Sequence, residues 1–138
     1  MIQLLSKYKL QLFYSSAIAA GILAFIFLVT TTWIGSSVKE RCIDAKRIYG
    51  ENLTCTQALS KRLDDEAVSY EQRNNAIWAL GQIGDREALS TLYTHYSGDV
   101  PNKESYTKSL SQYELFKAIN LIESGTNITA FVWRHNLP

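Results

Sequence analysis

The stretch Arg73-Asn-Asn-Ala-Ile-Trp-Ala-Leu-Gly-Gln-Ile-Gly-Asp85 decides the fold of this chain. Its apolar residues recur three and four positions apart, which places them on one face of an α-helix. The small residues at positions 79 and 81 allow another backbone to approach that helix. Gly84 suits the left-handed conformation that ends a helix, and Asp85 is a favourable N-cap for the next one. The stretch therefore predicts a helix, a turn and the start of a second helix.

The same pattern returns further along the chain. After a fourth predicted helix at 86–96, a glycine and a proline interrupt the chain, and a fifth helix is expected from about Ser105 to Glu123. Its apolar residues lie 39 positions after those of the first stretch: Leu115, Phe116, Ala118, Ile119 and Ile122 correspond to Ala76, Ile77, Ala79, Leu80 and Ile83. Helical hairpins that repeat at about 40 residues are typical of an α-solenoid, in which each pair covers its neighbour's apolar face.

The 73–85 stretch, followed by Ala88 and Leu92, resembles a HEAT-like repeat of the bilin-lyase type. The resemblance covers about residues 69–97 well and the pairs on either side loosely. It implies a helical-repeat fold that binds proteins, and it transfers no chemistry. It also implies that the first and last residues of the stretch orient turns and neighbouring repeats. The residues of the motif are Arg73, Ala76, Leu80, Gly81, Gly84 and Asp85.

Two further helices are predicted before the motif. Thr54 can cap a helix that ends at the acidic run 64–66, and an earlier helix carries Val38, Cys42, Ala45 and Tyr49 on one stripe. No segment shows the strict alternation of a half-buried strand. The expected fold is therefore all-α, with about three helical hairpins in residues 36–138.

The N-terminal region predicts a membrane span. No charged residue occurs from Leu10 to Val38, and residues 17–34 are almost wholly apolar. A bilayer core of about 30 Å needs about 20 such residues in a helix, and aromatic residues prefer its two faces. We expect a tail at 1–16 and a transmembrane helix at 17–35. The alternatives are a cleaved secretory signal, for which the run is too long, and a buried core helix, which would carry a polar face.

The side of the membrane is predicted from the basic residues and the cysteines. Lys7 and Lys9 precede the span and four basic residues follow it closely, which slightly favours a cytoplasmic domain. A short N-terminal tail before a long domain is instead the layout of a signal anchor. Cys42 and Cys55 flank a predicted turn and can form a disulfide in an oxidising compartment. They could equally be two buried small residues, because a helix continuing to residue 49 is expected to hold Cys42 too far from the turn. We predict an extracytoplasmic domain.

The sequence disfavours nucleic-acid binding, metal binding and enzymatic activity. Beyond residue 38 there are 12 basic and 13 acidic residues, and a nearly neutral domain offers no electrostatic footprint for nucleic acid. The two histidines are forty residues apart, without the spacing of a zinc site. No phosphate-binding loop or nucleophile motif occurs. We expect no enzymatic activity, no cofactor and no metal.

The remaining candidates are surface residues. The second helices of the hairpins are expected to display a partner-binding face, for which an ordinary solvated surface is the alternative. Trp133 and Arg134 could anchor a partner or close the end of the repeats. The candidate residues for partner contact are Lys61, Glu87, Ser90, Thr91, Thr94, His95, Trp133 and Arg134.

The sequence thus predicts an adaptor or accessory subunit, held at the bilayer by one helix, that binds a protein partner at the membrane. One alternative is a bilin-lyase-like or cofactor-assembly factor, as the repeat type implies. Another is a helix that itself docks in a membrane complex through a small-residue face at Ala17, Ala20, Gly21 and Ala24.

Overall fold

All regular structure in residues 2–138 is helical. A computed structural model describes this range, with side chains from residue 8 onward, so Met1 and the side chain of Lys7 lie outside the described part. The α-helices are α1 (Ile2–Tyr49), α2 (Cys55–Asp64), α3 (Tyr70–Ile83), α4 (Leu89–His95), α5 (Gln112–Glu123) and α6 (Ala130–Trp133). Short 3₁₀ turns cover Arg86–Ala88 and Arg134–Asn136. The predicted all-α fold with one long apolar N-terminal helix is confirmed.

Helix α1 has two parts with different surroundings. Every side chain from residue 8 to residue 30 is exposed, and this part is long and apolar enough to cross a membrane. Beyond it, one stripe of the same helix is fully buried, with members three or four residues apart: Thr31, Gly35, Val38, Cys42 and Ala45. A single unbroken helix therefore projects from the folded part of the chain and also supplies one side of its core.

The other helices pack around α3. Helix α3 contacts α1, α2 and α5, while α4 packs on α5 and on α2. Their shared core consists of aliphatic residues that are almost completely buried, chiefly Leu59, Leu63, Ile77, Leu80, Leu92 and Leu115. Each of these residues lies at a position that the helical periodicity predicts to face inward.

Polar groups and a glycine define where successive helices begin and end. Thr54 caps α2 in a capping box with Gln57, which matches the predicted cap. Gly84 ends α3 with a φ of 70°, and the Asp85 carboxylate accepts the N–H of Glu87 to begin the next turn. These local signals act within a few residues, which is why the sequence reveals them.

The predicted start of α5 at Ser105 is wrong, because the helix begins at Gln112. The Glu104 carboxylate accepts hydrogen bonds from the Ser111 hydroxyl and the Gln112 N–H, both at 2.6 Å. Buried Asn74 of α3 donates to the carbonyls of Tyr106 and Ser109 at 2.8 and 2.9 Å. Residues 105–111 are therefore held as an ordered loop by Glu104, which precedes it, and by Asn74, which is distant in sequence.

The last helix pair turns back toward α1. Helix α6 packs on α1, where the Trp133 side chain lies against Gly35 so closely that a Cβ added there would come within 2.7 Å of it. In the related helix α5, Phe116 is 44% exposed, whereas its counterpart Ile77 in α3 is fully buried.

A disulfide joins Cys42 of α1 to Cys55 at the start of α2, with 5.1 Å between the Cα atoms. Helix α1 does continue to Tyr49, so the expectation that such a helix keeps Cys42 out of reach is wrong. Residues 50–54 return along α1 by about 10 Å, the rise of seven helical residues. Gly50 permits this return with a φ of 137°, a conformation that side-chain-bearing residues rarely adopt.

The close approach of α3 and α5 yields a test of the packing. A Cβ at Gly81 would lie 2.8 Å from the Ala118 Cα, which is backbone that cannot move aside alone. We expect Gly81→Ala to lower the free energy of unfolding by about 1–3 kcal/mol, a loss that exceeds the gain of up to about 1 kcal/mol from helix propensity. The measurement is urea unfolding of the full chain in detergent micelles, followed by near-ultraviolet circular dichroism.

Gly21→Ala is the matched control, because nothing lies within 4 Å of a Cβ added there. It should leave the unfolding midpoint of the folded part unchanged. Equal midpoints for both variants would contradict the contact between α3 and α5.

Candidate interaction surfaces

The predicted partner face lies across α2 and α4. Lys61, Glu87 and Thr94 are exposed there, together with Ser90, while Thr91 and His95 are half-buried. Gln57 donates to the Glu87 carboxylate at 3.0 Å, and the His95 Nε2 lies 2.8 Å from the Asp64 carboxylate. The structure thus brings these candidates together, and two of them, Glu87 and His95, bond across the helices to residues of α2.

Trp133 and Arg134 lie elsewhere. Trp133 is only 8% exposed and belongs to the core beside α1, so little of its indole is open to a partner. Its ring fills the space over Gly35, which gives it a packing role, and a contact of Trp133 with a partner stays a prediction. Arg134 is exposed, and its guanidinium lies over Gly84.

The charged residues of the repeat motif join neighbouring helices. The Arg73 Nε donates to the Leu63 carbonyl at the end of α2, at 2.8 Å. The Asp85 carboxylate accepts the Thr56 hydroxyl at 3.0 Å. Both contacts connect α2 to the α3–α4 pair. These two side chains are occupied in holding the helices together.

An apolar groove between α3 and α5 is a site that the sequence did not reveal. It has a volume of about 530 Å³ and lies along Trp78 and Leu121, where Gly81 and Ala118 bring the two backbones together. Its polar lining includes Gln82, Glu114 and Lys117, and the last two form an ion pair of 2.7 Å. We call this site the α3/α5 groove. The only sequence signal for it was the small residues in the two related helices.

A second cleft lies beside α1. Its volume is about 600 Å³, and its lining includes Phe27 of α1 together with Phe131 and Val132 near the C-terminus. We call it the α1 cleft. Leu121 and Gly125 line both sites, so the groove and the cleft adjoin. An apolar path therefore runs from the repeat helices to the exposed part of α1.

A smaller polar cavity of about 190 Å³ lies between α1, α2 and α3. Arg41 and buried Arg62 line it, as do Glu40 and Asp44. The two positive charges are balanced by two negative charges, so the cavity has no net attraction for an anion. The Arg41 guanidinium also lies over the Trp78 ring, 5.0 Å from its centre.

The pKa of the Tyr49 phenol is strongly shifted. Burial and a 2.6 Å hydrogen bond to the Asp65 carboxylate raise the pKa of Tyr49 to about 12. The same hydrogen bond lowers the pKa of Asp65. The phenol stays protonated at neutral pH and donates to the carboxylate, which ties the end of α1 to the end of α2. The pair therefore stabilises the fold.

Within residues 8–138, no group of three or more histidine, cysteine, aspartate or glutamate side chains is arranged to hold a metal ion. His135 instead lies edge-on to Phe131, with 6.4 Å between ring centres.

Comparison with known families supports a HEAT-like repeat. The model of the PBS lyase HEAT-like repeat matches residues 72–95. This range covers nearly all of α3, the turn at Gly84 and all of α4. The predicted repeat is confirmed for this pair of helices. No curated protein and no solved structure matches the chain.

Proposed function

We propose that this chain is a membrane-anchored adaptor that holds a partner protein beside the bilayer in its α3/α5 groove. The observation that carries the proposal is the apolar path that joins the groove to the exposed part of α1. The matched HEAT-like repeat supports it, because stacked helices of this kind offer extended binding surfaces.

The exposed apolar part of α1 supports its role as a membrane anchor. The uncharged part of α1 begins at Leu10, and its buried stripe begins at Thr31. The intervening helix would measure about 31 Å at 1.5 Å per residue, close to the hydrocarbon thickness of a bilayer. An apolar surface of this size, exposed on all sides, would be strongly unfavourable in water. Lipid therefore extends to about Thr30, one turn before the predicted end of the span.

The partner is expected to be a membrane protein that presents an apolar segment. The α3/α5 groove is lined mainly by apolar groups, with one internally paired acid and base, so a charged peptide would gain little there. Since the groove adjoins the α1 cleft, a segment near the membrane surface can reach it. Tethering raises the effective concentration of the groove for such partners.

The disulfide supports an extracytoplasmic position. Disulfides persist in oxidising compartments and are rare in the cytosol. The link between Cys42 and Cys55 closes a loop of 13 residues, for which the stabilisation is about 3 kcal/mol. A domain that uses this link is expected to fold on the oxidising side of the membrane.

A cofactor-assembly factor is the second candidate. The groove volume of about 530 Å³ falls within the range of small-molecule sites, roughly 300–1,000 Å³. A visible absorption band in the protein purified from its native membrane would favour this function over the adaptor.

Partner binding is tested with groove variants of the full chain. Leu121→Asp places a charge in the groove, and Asn120→Arg places a long charged side chain at an exposed position of its lining. We expect each to reduce the partner protein recovered in mild detergent by at least about tenfold, which corresponds to about 1.4 kcal/mol. Quantitative mass spectrometry of the purified complex measures the loss.

Thr94→Arg is the control, because it adds the same side chain to the exposed α2/α4 face. It should leave recovery unchanged. If Thr94→Arg loses the partner protein and both groove variants retain it, the binding site would lie on the exposed face formed by α2 and α4. Recovery of the wild-type chain alone, as a monomer, would contradict the adaptor function.

Topology is tested by thiol labelling in intact cells. A membrane-impermeant maleimide should label Cys55, which borders a surface cleft, only after treatment with an impermeant reductant, because its thiol is engaged in the disulfide. Labelling that requires permeabilised cells would place the domain in the cytoplasm. Labelling of untreated cells would show that the disulfide is absent.

A further inference from the structure

The C-terminal segment 127–133 is amphipathic, with one side exposed and the other side packed on the fold. Ile128, Phe131 and Val132 are 66%, 80% and 49% exposed, although all three are large and apolar. Ala130 and Trp133, which alternate with them, belong to the core. The exposed side chains therefore form one patch on a segment whose opposite side is held by the fold.

Specific contacts fix the position of this segment. The Asn127 side chain donates to the Gln82 carbonyl at 3.1 Å and accepts the N–H of Ala130 at 3.2 Å. Trp133 packs directly on Gly35. The segment is thus tied to the end of α3 on one side and to α1 on the other, and its apolar patch cannot turn inward.

The patch adjoins the part of α1 assigned to lipid. Phe27 lines the α1 cleft together with Phe131 and Val132. On α1, Phe27, Thr31 and Gly35 are spaced four residues apart and lie on one side of the helix. The segment thus packs on α1 at Gly35, and its exposed patch reaches the level of Phe27.

We propose that Ile128, Phe131 and Val132 form a second membrane contact, which inserts into the headgroup and acyl boundary beside α1. This inference rests on the proposed anchor. The occupant of the α1 cleft is lipid, because the cleft opens where α1 passes from the folded part into its fully exposed stretch. Trp33, which is 68% exposed on α1, lies at a comparable height and suits the same interfacial level.

Two contacts with the bilayer would fix the orientation of the folded part. A single helix leaves the domain free to rotate about the helix axis. An inserted patch beside the helix selects one side of the domain to face the membrane. The adjoining α3/α5 groove would then open close to the membrane surface, where an apolar segment of a membrane protein can enter it.

The test uses nitroxide labels on the full chain in phosphatidylcholine vesicles, with the native disulfide intact. Labels are placed one at a time at Phe27→Cys, Ile128→Cys and Phe131→Cys. We expect all three to be more accessible to oxygen than to a water-soluble nickel chelate in power-saturation measurements, because oxygen concentrates in lipid.

Tyr113→Cys is the matched control, since this aromatic residue is 51% exposed on α5. The N-cap of α5, Ser111, donates its N–H to Asn74. The next residue, Asn75, accepts a hydrogen bond from Arg41, which lies about 16 Å along α1 beyond Thr30. The label at this position should favour the nickel chelate. This contrast separates insertion from any affinity of the label itself for lipid.

The accessibility values test the second membrane contact separately from the helix anchor. Lipid-like accessibility at Phe27 with water-like accessibility at Ile128 and Phe131 would overturn the second contact and leave the anchor intact. Water-like accessibility at Phe27 would overturn both. Spin–spin broadening at Phe131 that disappears on dilution with unlabelled chain would assign the patch to a second copy and overturn lipid as its occupant.

Gly35→Leu provides a second line of evidence, because a side chain at this position displaces Trp133. In this variant the label at Phe131 should lose its preference for oxygen, while the label at Phe27 retains it. Unchanged values at Phe131 would show that packing on α1 does not position the patch.

Discussion

The packing of the folded residues on one stripe of α1 is the contact on which the rest of the structure depends. Thr31, Gly35, Val38, Cys42 and Ala45 are buried because other helices cover them, whereas the preceding two dozen residues are exposed on all sides. The helix therefore cannot be removed without taking away part of the core. An anchor built in this way is continuous with the domain, in contrast to a span joined by a flexible linker.

Small residues make this packing possible at two places. Gly35 admits the Trp133 side chain against α1, and Gly81 admits the backbone of α5 against α3. Polar contacts then set the order of the helices, since Arg73 and Asp85 connect α2 to the pair that follows. The two apolar sites lie beside these close approaches. Their shape consequently depends on the same residues that hold the fold together.

Local patterns predicted much of this architecture. The periodicity of the 73–85 stretch, the caps at Thr54 and Asp85 and the stop at Gly84 all act within a few residues. The start of α5 escaped prediction because Glu104 and Asn74 hold the preceding loop through contacts that no periodicity displays. The return of residues 50–54 along α1, which sets the distance between the cysteines, depends likewise on tertiary packing.

The candidate sites were harder to predict than the fold. The α2/α4 face followed from helix order, and the structure does assemble those residues. The α3/α5 groove depends on how closely two helices approach and on the partial exposure of Phe116. The position of Trp133 depends on where the chain goes after α5. Both features arise from long-range geometry, which one sequence does not encode in any local motif.

In the proposed architecture, one continuous helix both spans the bilayer and packs in the core. The most direct measurement is a nitroxide scan along α1 from Leu23 to Ala45 in lipid vesicles. Oxygen accessibility should be high on all sides up to about Thr30 and then periodic, with minima at Thr31, Gly35, Val38 and Ala45, while Cys42 is left in its disulfide. Water-like accessibility before Thr30, or the absence of a helical period after it, would contradict this architecture.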